Sequence, residues 1–422
     1  MAMRITEIED HPIFIPYQEF NAQVLARYHG RAIQGRTILV VRTDSGLEGY
    51  GESWGALEAG PLRDRYLGTD PFDWLNAETD LAMNMALYDL MGKHLGVPAW
   101  KLMGPKVRAW VPVAAWTVSQ PPEGMAEEVR QAAGRGYHWL KYHVDEVQNT
   151  VDQTEAIQAV APRGFKIHYD FNANTDVYTM LALLKELERF GVAGRFEDLL
   201  PVSDEEGYRQ LRAKCELPVI IHHGPPEVMF KGLCDAYMAG HAPVGLAMKV
   251  GAIAEAANKP VMYQQCGGTI NQAFLAHEAA VIRKATLDHV DLCHLWRDDV
   301  TVERMEVVGG CVAVPEGPGL GVSLDWEKLE RYRAAAPHDP GCFLVRLRYA
   351  EGLTIYTRHD PNRPGHVDAL RFLARLHHHR APGYAPAYAN PITSDFIDES
   401  NTPDFARLWQ QTEVGPIWSK ET

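Results

Sequence analysis

The sequence predicts an α/β fold, a (β/α) TIM-type barrel preceded by a small α+β domain. Three observations carry this. From Trp110 onward short apolar runs alternate with amphipathic stretches, and strand–helix alternation implies a parallel sheet. The apolar runs number eight, which favours a closed barrel over an open sheet. The opening third lacks the alternation and reads as strands joined by a turn.

Residues 1–105 form the first predicted domain. Ile13–Ile15 and Thr37–Arg42 are β-rich, and Thr43-Asp44-Ser45-Gly46 is a turn into Gly49-Tyr50-Gly51-Glu52. Between them, Tyr17–Gly35 is polar and aromatic without clear periodicity. That is long for a plain connection, so it is read as a lid, with Tyr17 a supporting residue of the site. A helix is expected from about Asp80 to Leu95, ended by Gly96-Val97-Pro98.

The barrel is predicted over 106–325. Its strand candidates are Trp110–Trp116, Trp139–His143, Phe165–Phe171, Arg195–Leu199, Pro218–His223, Asp235–Ala239, Pro260–Gln264 and Asp288–Leu295. Helices are expected at Met125–Ala133, Asp176–Phe190, Tyr208–Lys214 and Leu246–Ala257. The remainder, 326–422, reads as an irregular Pro-rich extension with a helix-like stretch at Val367–His379, packing back on the first domain.

Composition narrows the function. The 422 residues are 46% hydrophobic, enough for a large core. A formal charge of -14 without a long basic run argues against nucleic-acid or membrane-surface partners, leaving a small-molecule substrate. Six cysteines without a CxxC pair suggest neither a zinc knuckle nor a disulfide framework. No stretch approaches a membrane span, and residues 1–10 lack a signal-like pattern. A cytoplasmic homo-oligomer is expected.

Chemistry in such barrels lies at the C-terminal ends of the strands. Strand two ends Leu140-Lys141-Tyr142-His143, and alternation puts Lys141 and His143 on one face. Strand three ends at Asp170-Phe171-Asn172, with Asp170 and Asn172 in phase; strand four ends Glu197-Asp198 and strand five His222-His223. Lys141, Asp170, Glu197 and His223 follow one another at 29, 27 and 26 residues, close to one βα unit each. Asp170 and Glu197 suit a hard cation such as Mg²⁺. An imidazole third ligand, His223 with His222 as fallback, leaves Mn²⁺, Fe²⁺ or Zn²⁺ open. Each residue alone has a plainer reading. Charged strand ends reach solvent, Asp170 could cap a helix, and only one of two adjacent histidines is expected to face inward. Their recurrence in register favours the site.

The chain resembles the enolase superfamily, in its mandelate racemase and muconate lactonizing enzyme branch, over about residues 1–325. The resemblance rests on Gly49-Tyr50-Gly51-Glu52-Ser53, Ala86–Lys93 leading to Gly96-Val97-Pro98 and Leu102-Met103-Gly104, Asp170-Phe171-Asn172, Phe196-Glu197-Asp198 with Pro201, and Val314–Gly321. It implies an enolase-like modified barrel under a capping domain, and a divalent metal, Mg²⁺ by habit, on a substrate carboxylate. A base then removes the adjacent α-proton. By position Lys141 matches the base of a Lys-x-Lys strand, and Asp170 and Glu197 match metal ligands. His143 stands for the second Lys, and His223 for a third acidic ligand. The second base of some members aligns with Gln264 and Tyr237, and the acid near strand eight is replaced around Cys293 and His294.

With Lys141 as base and His143 as the acid for a leaving hydroxyl, the expected reaction is dehydration of an acid sugar or related hydroxy acid. Racemisation, epimerisation or cycloisomerisation remain alternatives. So do a Schiff-base Lys141 with phosphate on Gly267-Gly268-Thr269, and an inactive scaffold.

Overall fold

The structure, a computed structural model, describes residues 3–29, 35–144, 146–173, 176–339, 341–349, 352–360 and 392–420. The first domain is an antiparallel sheet of β1 (Ile5–Phe14), β2 (Gly35–Thr43) and β3 (Glu48–Trp54), in that order. Helix Leu81–Leu95 covers it. Asp80 caps its start by accepting from Met83 N at 3.2 Å, and Gly96, at φ 66°, ends it. Gly49 and Gly51 lie one pleat apart where this helix meets β3. A Cβ on Gly51 would sit 1.9 Å from the Ala82 carbonyl oxygen, and one on Gly49 2.3 Å from that of Ala86. Gly51→Ala is therefore expected to cost about 1–3 kcal/mol, the usual price of overpacking. Chemical denaturation checks it, and a change below about 0.5 kcal/mol, the scale of an ordinary surface substitution, would refute the contact.

The barrel is β4 (Trp110–Val118), β5 (Trp139–His143), β6 (Lys166–Asp170), β7 (Ala193–Glu197), β8 (Val219–Ile221), β9 (Ala236–Gly240), β10 (Val261–Gln264) and β11 (His289–Val290). Neighbours are parallel, and β11 pairs with β4 through His289–Val113 and Val290–Ala114, closing the circle. A further strand, β12 (Cys311–Ala313), runs antiparallel along β4. Side-chain alternation sets what faces inward. Tyr142 and Tyr169 point out, where their hydroxyls meet Gln153 Oε1 (3.2 Å) and Thr154 Oγ1 (3.1 Å) of helix Thr150–Val160. Lys141, His143, His168 and Asp170 therefore point in.

All eight strand candidates are found, the last shortened to two residues. Two long helices of the barrel escaped sequence reading. Thr269–Val281 is buried on every face and so carries no polar stripe to betray its period, and Thr150–Val160 has polar residues in its buried face. Residues 17–29 are also more regular than their composition suggests. They hold helix Ala22–His29, anchored by Asn21 Nδ2 donating to Glu128 Oε1 at 3.0 Å. The rest of the proposed lid, 30–34, lies outside the described residues.

The described part of the extension is regular. After helix Trp326–Arg333, whose Trp326 sits edge-on to His11 of β1, come β13 (Phe343–Tyr349), β14 (Leu353–His359), β15 (Ile392–Ile397) and β16 (Ile417–Lys420). They form an antiparallel sheet ordered β15-β13-β14-β16. One face joins the main core through Phe343, Val345, Leu347 and Ile355; on the other Leu344 and Tyr356 pack under Phe405 and Leu408. Val367–His379 lies outside the described residues. Among those described, no helix is long and apolar enough to cross a membrane, and all six cysteines are free.

Candidate active site

Register brings His143 beside Asp170 and Asp170 beside Glu197 at the C-terminal ends of β5, β6 and β7. Lys141 sits one pleat below, fully buried. Its Nζ donates to Glu197 Oε1 (2.9 Å) and Gln264 Oε1 (2.6 Å) and lies 3.0 Å from Asp170 Oδ2. His143 Nε2 is 3.3 Å from the same Asp170 oxygen, with the ring edge-on to Trp116. Burial works to lower the Lys141 pKa, but the Asp170 and Glu197 carboxylates outweigh it and hold it above the ordinary value. Burial, then repulsion from Glu197, pushes Asp170 up to about 6. Burial also acts to raise Glu197, yet Lys141 and His168 hold it well below the usual carboxylate range.

A buried polar chain runs down the barrel from Glu197. Arg195 Nε donates to His168 Nδ1 at 3.0 Å, and Arg195 Nη1 reaches Asp288 Oδ2 at 3.1 Å. With Nδ1 accepting, the neutral ring carries its proton on Nε2, 2.6 Å from Glu197 Oε2. The contact is bent away from an ideal hydrogen bond. Two lone pairs would repel at that distance, so the proton lies between them. Burial and Arg195 lower the His168 pKa to about 3, keeping the ring neutral. His168→Ala is expected to weaken divalent-cation binding about 10–100-fold, as loss of a partner behind a ligand does. Calorimetric affinity within twofold of the parent would refute the role.

Asp198, the residue after β7, organises the next loop. At φ 45°, it accepts from His222 N at 2.8 Å and His223 N at 3.2 Å. His223 Nδ1 lies against Asp198 Oδ2, and this bond raises the His223 pKa. His222 Nδ1 is 3.1 Å from Glu197 Oε1. His222 is thus the histidine turned to the carboxylates, and His223 is the more exposed of the two. The two rings lie side by side with centroids 4.2 Å apart, because β8 ends at Ile221 and strict alternation ends with it.

Across the mouth, His241 follows β9 at φ 50°. Its Nε2 is 3.8 Å from Cys266 Sγ, and its ring stacks on Trp54 of the capping sheet. Burial lowers its pKa to about 4. Sequence reading missed it because it lies one residue beyond the strand. Asp291 was also missed, although it is in phase with His289. It lies one residue past β11, buried, accepting from Cys293 N at 2.6 Å. That corrects the placement of strand eight's polar residue at Cys293 and His294.

Several predicted residues do not join the cluster. Cys293 Sγ lies 3.6 Å from Thr269 Oγ1. His294 Nε2 is spent on the Trp116 backbone, 2.8 Å from its carbonyl oxygen. Tyr17 is buried against Trp296. Asn172 stays beside the site, its backbone N donating to Asp170 Oδ1 at 3.0 Å and its φ at 51°. His223 lies with Asp198 and His222, whereas Asp170 and Glu197 converge with Asp198. Gly268 N and Thr269 N are already taken by Glu52 Oε1 (2.8 Å) and Asp299 Oδ2 (2.6 Å). Carboxylates thus occupy the amides that a phosphate would need.

The residues fit a divalent cation. Asp170, Glu197 and Asp198 each offer an oxygen within 4.8 Å of the others, and Asp170 Oδ2 and Glu197 Oε2 are buried without an aligned hydrogen bond. Three buried carboxylates beside one ammonium leave uncompensated negative charge, which hard oxygen-seeking cations neutralise.

Known proteins resemble this chain in sequence and fold. Residues 124–328 match the family model described as enolase C-terminal domain-like. The D-gluconate dehydratase of Thermoproteus tenax is 27% identical over 399 residues, covering 80% of this chain and 75% of that one. The D-galactonate dehydratase of Xanthomonas axonopodis pv. citri is 24% identical over 60% of this chain and 73% of its own. The solved muconate cycloisomerase of Pseudomonas fluorescens superposes with TM-score 0.65 at 22% identity, covering 79% of this chain and all (100%) of its own.

Proposed function

Because this chain belongs to the enolase superfamily, in its mandelate racemase and muconate lactonizing enzyme branch, we propose that it dehydrates a small polyhydroxy carboxylate, an acid sugar or a related hydroxy acid. One observation carries the reading. Lys141 Nζ and His143 Nε2 reach the same Asp170 oxygen, at 3.0 and 3.3 Å. A base and an acid therefore stand together on one side of the mouth. The sugar-acid dehydratases among the relatives support the substrate class.

Asp170 and Glu197, with Asp198 on the third side, would hold the cation, Mg²⁺ or Mn²⁺. When bound it supplies charge stabilisation for the substrate carboxylate. The chain's own residues do the rest. Lys141, once its carboxylate partners are neutralised, loses what holds it protonated and takes the α-proton. His143 gives a proton to the β-hydroxyl, which leaves as water, and the resulting enol tautomerises to a 2-keto acid. Gln264 steadies Lys141 through its 2.6 Å contact, and complete burial of Lys141 keeps bulk water from the base. The occupied amides of Gly268 and Thr269 disfavour the Schiff-base alternative, and the convergence of Lys141, Asp170 and Glu197 disfavours a scaffold.

The test is a screen of aldonic and aldaric acids with Mg²⁺ or Mn²⁺, read as 2-keto acid formation and α-deuterium uptake in deuterated water. Metal-loaded protein that yields neither product nor exchange across the panel would overturn the reading.

A further inference from the structure

We infer that Asp198, His222 and His223 form a second cation site, softer than the carboxylate site and joined to it through Asp198. It does not depend on which reaction the barrel runs. One ligand atom from each of the three lies within 4.8 Å of the others.

Adjacent residues of an extended chain point to opposite sides, yet these rings lie side by side, 4.2 Å between centroids and tilted by 34°. Specific features hold them so. The Asp198 carboxylate gathers both backbone amides, and Gly224 N closes the turn on His222 O at 2.9 Å. Gly240 makes room, since a Cβ there would stand 2.2 Å from His222 Nε2.

The nitrogens point toward oxygen. His223 Nδ1 abuts Asp198 Oδ2. His222 Nδ1 is 3.1 Å from Glu197 Oε1, without the alignment of a hydrogen bond. His223 Nδ1 and His222 Nδ1 thus approach two different carboxylates from neighbouring rings. One cation held by a nitrogen from each ring and an Asp198 oxygen would satisfy these groups together. The His223 side chain is 60% exposed, which gives an ion a way in.

Donor type sets the preference. Imidazole nitrogen favours Co²⁺, Zn²⁺ or Mn²⁺, whereas Mg²⁺ is held by oxygen. The site therefore takes a borderline divalent transition metal while Mg²⁺ stays with Asp170 and Glu197. The two ions would share Asp198, as in sites where two metals act together.

The experiment titrates the full-length metal-free chain with Mg²⁺ and with Co²⁺ by calorimetry, and locates Co²⁺ in crystals by anomalous scattering. The expected result is one Mg²⁺ but two Co²⁺ per chain, with a Co²⁺ peak on Asp198, His222 and His223. His222→Asn combined with His223→Asn should drop Co²⁺ to one per chain and leave Mg²⁺ at one. A single Co²⁺ in the parent, or a second that survives the double substitution, overturns the inference. The anomalous map of the parent decides alone if the variant does not fold, since absence of a peak at the histidines is equally fatal. Failed dehydration with two Co²⁺ bound would fault the proposed reaction and leave this site standing.

Discussion

Lys141→Ala is expected to abolish α-proton exchange on any true substrate while leaving divalent-cation binding intact or tighter. The first half follows from position. Lys141 is the group on β5 placed to act as base, and general-base catalysis contributes about 10²–10⁴-fold, so exchange should fall by at least about 100-fold, or about 2.7 kcal/mol of barrier. The second half follows from charge. Lys141 is an ion-pair partner of both Asp170 and Glu197, so its removal leaves two buried carboxylates for the cation alone to neutralise. Breaking such a pair from one side costs about 3–5 kcal/mol. The metal-free variant should therefore melt earlier than the metal-free parent, and saturating Mg²⁺ should recover most of the difference. Calorimetric unfolding with and without Mg²⁺ checks this, together with exchange followed by proton NMR. Residual exchange within tenfold of the parent would show that another base acts.

Why Lys141, Asp170 and Glu197 were legible, and Asp198, His241 and Asp291 were not, has a physical answer. The first three lie within strands, where a period of two fixes the face and βα spacing fixes the register. Asp198 and His241 lie one residue past their strands, in left-handed backbone at φ 45° and 50°. A non-glycine residue there is a local exception that only its surroundings hold in place. His222 and His223 show the same limit, since rings predicted to diverge are drawn together by a carboxylate 24 and 25 positions upstream. Asp291 could have been found by extending the alternation from His289. The strands of the extension are a separate case. Pro-rich surroundings hid Phe343–Tyr349 and Leu353–His359, whose apolar residues fit a sheet buried on both faces.

Exchange from one configuration only is expected of a true substrate, because the proposed base and acid, Lys141 and His143, share one strand, β5. Racemisation needs a competent group on each face of the enediolate. On the far side, Gln264 is an amide engaged by Lys141 at 2.6 Å and cannot carry a proton at neutral pH. Tyr237 donates to Gly224 O at 2.7 Å, and burial pushes its hydroxyl up to about 12, so it too is excluded as a base. His241 is the imidazole on that side and is neutral at pH 7. Its ring is stacked on Trp54, and its Nε2 faces Cys266 Sγ at 3.8 Å. One enantiomer at the α-carbon should thus take up deuterium at least about 100-fold faster than the other, the low end of what a positioned base contributes. His241→Asn should leave that faster rate within a few-fold. If both enantiomers exchange at similar rates and His241→Asn silences one of them, His241 is a second base working opposite Lys141. The site would then be built for inversion, and dehydration would lose its place as the first reading.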